Sequence, residues 1–155
     1  GFISVHVLGI FEPVMKFHPE LFFFTPLIAA MAGNVGVQSS AIIVQGLANN
    51  TIIGPVVERL LKELSLSLLN GVILSIILLA GSYFLLGYEI HVGYTVSIAL
   101  LSVIIMASLI GTFIPIILNK YGVDPALATG PFITTSNDIL GILTYFTIAK
   151  IILGI

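Results

Sequence analysis

The stretch GPFITTSNDILGILTYF, residues 130–146, decides how the rest of the chain is read. It is almost entirely apolar, yet Thr134, Thr135, Ser136 and Asn137 follow one another inside it and Asp138 comes next. Lipid and water treat a carboxylate in such a segment very differently, so the solvent has to be settled first.

The 155-residue chain is 58% hydrophobic and 8% charged, with a mean hydropathy of +1.21. Soluble domains are roughly half apolar and about a quarter charged, so this is an all-α membrane protein of one domain. A net charge of -2 is too small to suggest nucleic-acid binding or strong adhesion to anionic lipid. Cysteine is absent, which removes disulfides and thiolate sites for soft metals. Gly1 opens directly onto FISVHVLGIF, with neither a basic region nor a small-residue cleavage site, so no secretory signal is expected.

Five spans are expected. The first apolar run ends at Glu12-Pro13, short of the ~20 residues a spanning helix needs, and is expected to be cut short or completed by residues upstream. The second runs from Leu21 to Ala48. NNTIIGPVVERLLKEL (residues 49–64) then gathers Asn, Gly, Pro and four charges, read as a loop and a short interfacial helix. A third span covers Leu64 to Leu86, a fourth Val92 to Leu118, and a fifth runs from Pro131 to the end. Arg59, Lys62 and Lys120 fall on one side and Lys16 and Lys150 on the other, which places the 49–63 and 119–130 loops in the cytoplasm. The localisation expected is the plasma membrane, as a multi-pass protein in contact with lipid.

At about 3.6 residues per turn, Asn34, Gln38, Ala41 and Gln45 share a face of the second helix, and Thr134, Asp138, Gly141 and Tyr145 share one of the fifth. A charge at the bilayer centre costs at least about 2.5–3.5 kcal/mol, and Asp138 lies roughly 10 Å along its helix from Pro131. The amides of Asn34, Gln38 and Gln45 could equally tie helices together, and Ala32, Gly33 and Gly36 could be packing contacts. Ser67, Gly71, Ser75, Ser108, Gly111 and Thr112 fit the packing of small residues better than any chemistry. Asp138 differs, because no other span carries Lys or Arg and Lys150 is about 18 Å away on its own helix. Its alternatives are a protonated acid or a carboxylate paired with a mobile cation.

His6, His18 and His91 lack the spacing that would set two of them on one helix face, so a histidine metal site is not expected. Glu12, Glu20 and Glu89 belong to the outer side, either as a solvated rim or as an outer vestibule that concentrates cations. Asp124 before Pro125 reads as a cap. Carboxylate, amide, hydroxyl and carbonyl oxygens are ligands of hard cations, and Mg²⁺, which sheds water reluctantly, would be held here through its water shell. Calcium and sodium stay open.

GNVGVQSSAIIVQGLA (33–48) and YGVDPALATGPFITTSNDILGILTYF (121–146) closely resemble the two signature stretches of the membrane domain of the MgtE family of magnesium transporters and channels. The resemblance covers essentially the whole chain. It implies a homodimer with five spans per subunit, a cytoplasmic amino end and a central pore on the two-fold axis lined by the second and fifth helices. Asp138 would bind hydrated Mg²⁺ there as the transported ion. Thr134, Gly130 and Pro131 match the pore around that ion, and Gly33, Asn34 and Gln38 match the second-helix motif, with Asn137, Gly141 and Gln45 expected beside them along the lining. The family's cytoplasmic regulatory and CBS domains have no counterpart in these residues, and Asn137 stands where many relatives differ. Channel and exchanger both remain open, the latter as an antiporter coupled to Na⁺ or H⁺. From other classes, an intramembrane aspartyl protease would need two carboxylates about 3 Å apart sharing a proton, and a purely structural module would leave Asp138 inert.

Overall fold

The computed structural model describes residues 2–52 and 54–154. Among them there are helices and no strand: α1 Phe2–Ile10, α2 Glu12–Phe17, α3 Glu20–Ala48, α4 Val56–Phe84, α5 Ile90–Lys120, a 3-10 turn Pro125–Ala128 and α6 Pro131–Leu153. Helices alone fit this composition, because in lipid a segment must satisfy its own backbone groups. Four helices, α3 to α6, are long and apolar enough to cross a membrane. The nine residues of α1 rise only about 14 Å, against ~30 Å for a hydrocarbon core.

The expected interfacial helix and third span are one helix, 29 residues long and beginning at Val56. No Gly or Pro interrupts residues 56–70, and Lys62 pairs with Glu58 one turn away at 2.7 Å. The charges therefore sit on the first two turns of α4 rather than in a loop. Asp124 does act as a cap: its Oδ1 accepts from Ala126 N at 2.9 Å at the head of the 3-10 turn.

Lipid tails are as apolar as leucine, so close packing has to hold such helices together. α5 is the centre of that packing, meeting α3, α4 and α6, with Val96, Ala99, Leu100, Val103 and Ala107 buried along it. Where α3 crosses α5 the contact is glycine on glycine: a Cβ on Gly111 would overlap the Gly36 carbonyl. On α4 a Cβ at Gly71 would stand 2.6 Å from a Leu101 methyl. Some buried hydroxyls bridge elements, Ser75 Oγ donating to Ser97 O at 2.8 Å and Ser40 Oγ to Ala128 O at 2.6 Å. The small residues of α4 and α5 singled out in the sequence are thus packing residues, all buried. α1 lies against α6, and Phe11, just past the end of α1, stacks on Phe146 with ring centroids 5.4 Å apart.

Candidate functional site

The chain enters α6 through Gly130, whose φ of 61° favours glycine. Pro131 occupies the first helical turn, where its missing N–H costs nothing. Thr134 then bonds twice to the Gly130 carbonyl, through its backbone N at 3.0 Å and its Oγ1 at 3.1 Å. This start fixes the register that sets Asp138 one turn beyond Thr134.

Opposite them on α3 stands Gly33. A Cβ there would be 3.0 Å from Asp138 Oδ1 and 3.3 Å from Thr134 Cγ2, so the missing side chain makes room for the carboxylate between the helices. Asp138 is only partly buried. It forms no hydrogen bond or ion pair among the described residues. Asn34, Gln38 and Gln45 are exposed on α3, as is Pro131 on α6.

Asn137 and Gly141, expected along the lining, both turn inward within the subunit. One residue is about 100° of helix rotation, which carries the Asn137 side chain away from that of Asp138 and onto Gly36; it is 0% exposed and neither Nδ2 nor Oδ1 has a partner. A Cβ on Gly141 would meet the Ala32 Cβ at 2.8 Å. Tyr145, on the same expected stripe, is buried and donates its hydroxyl to Leu21 O at 2.9 Å. The open part of the α6 stripe is therefore Thr134 and Asp138.

At the other end of the bundle, Glu20 and Glu89 share a hollow with His18 and His91. His18 Nδ1 lies 2.8 Å from Glu20 and His91 Nδ1 3.3 Å from Glu89, with the imidazole centroids 6.4 Å apart. Glu12 is not among them: it pairs with Lys16 at 2.9 Å, and that hydrogen-bonded ammonium holds its carboxyl below the usual carboxylate range. Among the described residues no three His, Asp or Glu side chains are grouped to cage a metal.

A polar group that sequence reasoning missed is Glu63. It accepts from Ser39 Oγ and Ser108 Oγ, each at 2.7 Å, which joins α3, α4 and α5. The signal was present, because Glu63, Ser67 and Asn70 recur at i, i+4 and i+7 on one helical face.

A family model described as MgtE, divalent cation transporter, matches residues 25–148, which takes in both polar stripes and the turn between α5 and α6. The chain belongs to the MgtE family. The magnesium transporter MgtE of Bacillus subtilis is 39% identical over 150 residues, covering 96% of this chain and 33% of that protein. Those of Thermus thermophilus and Enterococcus faecalis are 32% and 34% identical, over 99% and 97% of this chain. The chain thus spans about a third of the length of the MgtE relatives it matches. The family model is described as a divalent cation transporter and the relatives as magnesium transporters, and none of them as a protease.

Proposed function

We propose that the chain forms the ion pathway of a Mg²⁺ transporter, in which two copies meet about a two-fold axis and α3 and α6 of each line a central pore in the plasma membrane. Phe2–Ile10 belongs to the first of five spans per subunit, and the loops at 49–55 and 121–130 face the cytoplasm. Gating by cytoplasmic Mg²⁺ belongs to domains outside residues 1–155.

The observation that supports this reading is the unpaired Asp138 carboxylate, kept clear by Gly33. An unpaired charge within a spanning helix is costly, and a hydrated Mg²⁺ supplies its counter-charge. For a divalent ion about 5 Å away, one carboxylate contributes between about 2 kcal/mol in a water-like medium and about 7 at an effective dielectric of 20. The lower figure is already more than tenfold in occupancy, and symmetry supplies it twice.

The test is Mg²⁺ uptake by proteoliposomes, with Ca²⁺, Mn²⁺ and Na⁺ compared. Asp138→Asn should cut uptake at least tenfold while gel filtration and thermal melting stay unchanged. Uptake at the wild-type level by this variant would sink the proposed site. Uptake that depends on an opposing Na⁺ or H⁺ gradient would turn the channel into an antiporter.

A further inference from the structure

α3 and α4 both pack on α5, and the cleft left between them is a cavity of about 500 Å³. Its polar lining is supplied by Asn34, Gln38 and Ser39 of α3, Glu63, Ser67 and Asn70 of α4, and Ser108 of α5. Ser39 and Ser108 are 4% and 1% exposed, and both donate to the same oxygen, Glu63 Oε1. Two donors use both lone pairs of that oxygen. The second oxygen takes no hydrogen bond among the described residues, and the carboxylate makes no ion pair. Its neighbour Lys62 is engaged by Glu58.

A clamp joining three helices would need Oε1 alone, and a neutral amide would serve it as well. The lining goes further, with a carboxylate oxygen left over, three amide side chains around the same space and, among the described residues, no ion pair to the carboxylate, although Arg59 lies one turn before it on α4. We propose that this cleft is a second cation site, holding a hard divalent ion with its water shell against Glu63 Oε2 and the amides of Asn34, Gln38 and Asn70. One carboxylate and three amides are too few for a stripped Ca²⁺, which takes six to eight oxygens. They do suit an ion that keeps its water, and six waters at about 30 Å³ each fill well under half of the cavity. Asn34 is the residue after Gly33, about 100° round the helix. A single turn of α3 therefore has Asp138 on one side and this cleft on the other.

The site stands whether or not Asp138 holds an ion, and the measurement separates the two. Mn²⁺, added as its chloride to the purified full-length protein, is followed by the loss of its free paramagnetic resonance signal for wild type, Glu63→Gln and Asp138→Asn. Glu63→Gln keeps an acceptor for Ser39 and Ser108 while deleting the charge. It should lose one class of bound Mn²⁺, and Asp138→Asn should lose a different one. Should Glu63→Gln fail to fold, Asn70→Leu, on an exposed position, carries the test: that class should weaken by about fivefold, the size of one lost hydrogen bond. Wild-type titration by Glu63→Gln, or by Asn70→Leu in its place, overturns the cleft site and leaves Asp138 untouched. Loss of a class in Glu63→Gln with none lost in Asp138→Asn supports the cleft and sinks the reading of Asp138.

Discussion

Gly33 and Asp138 face each other across the contact between α3 and α6, with 3.0 Å between Asp138 Oδ1 and the point a Cβ on Gly33 would occupy. That separation is tight enough for the smallest side chain to push the carboxylate and open enough for glycine to leave it free. Gly33→Ala should shift Asp138 by a few tenths of an ångström and lower Mg²⁺ uptake several-fold. Gly33→Val, with two methyl groups in the same space, should cost more than tenfold, since overpacking is worth about 1–3 kcal/mol. Proteoliposome uptake read beside a thermal melt decides it. If Gly33→Val transports normally, the carboxylate's position does not matter to the ion.

The α3–α5 crossing should be still less forgiving. A methyl on Gly111 would enter the Gly36 carbonyl, and backbone on both sides leaves nothing flexible to yield. Gly111→Ala should destabilise the bundle by at least about 1–3 kcal/mol, seen as a lowered melting temperature in detergent. Gly81, within α4 and with nothing within 4 Å of its would-be Cβ, is the control. There Ala should be neutral or gain up to about 1 kcal/mol from the better helix former. Equal melting of the two variants would mean the crossing is looser than drawn.

Composition and helical period carried the reading of the sequence a long way. Asp138 and Thr134 on one stripe and Asn34, Gln38 and Gln45 on another follow from rotation of about 100° per residue. Period alone does not say which neighbour occupies a face. Gly141 and Tyr145 share the stripe of Asp138, yet they meet Ala32 and Leu21 inside the subunit, because α3 lies along that face of α6 over several turns. Glu63 escaped for a different reason. Four charges between residues 58 and 63 read as a loop boundary, and only the observed α4 places one of them among the hydroxyls of α3 and α5.

Asn137 lies on the packed side of α6. Its amide is enclosed against Gly36 with both polar atoms unpartnered, and a buried polar group without partners costs about 1–3 kcal/mol. Asn137→Leu, similar in size and without that penalty, should leave the melting temperature unchanged or higher and preserve the ranking of Mg²⁺ over Ca²⁺ in uptake. A changed ranking with an intact fold would return Asn137 to the pathway.

The chain has no cysteine, so one introduced cysteine can form a disulfide only with its own copy in another subunit. Such a bond needs Cβ atoms about 3.5–4.5 Å apart, which is met only close to a two-fold axis. If α6 lies beside that axis, Thr134→Cys should give a band of twice the subunit mass on mild oxidation, reversed by reductant. Gly141→Cys should not, because that position is packed on Ala32. Ile76→Cys, on the exposed apolar face of α4, should stay monomeric as well, since that face suits lipid. Hydrated Mg²⁺ between the two Asp138 copies would hold the opposing helices apart, so crosslinking at Thr134 should slow as Mg²⁺ is added. A dimer trapped from Ile76 and not from Thr134 would move the axis to α4 and take the proposed pore with it.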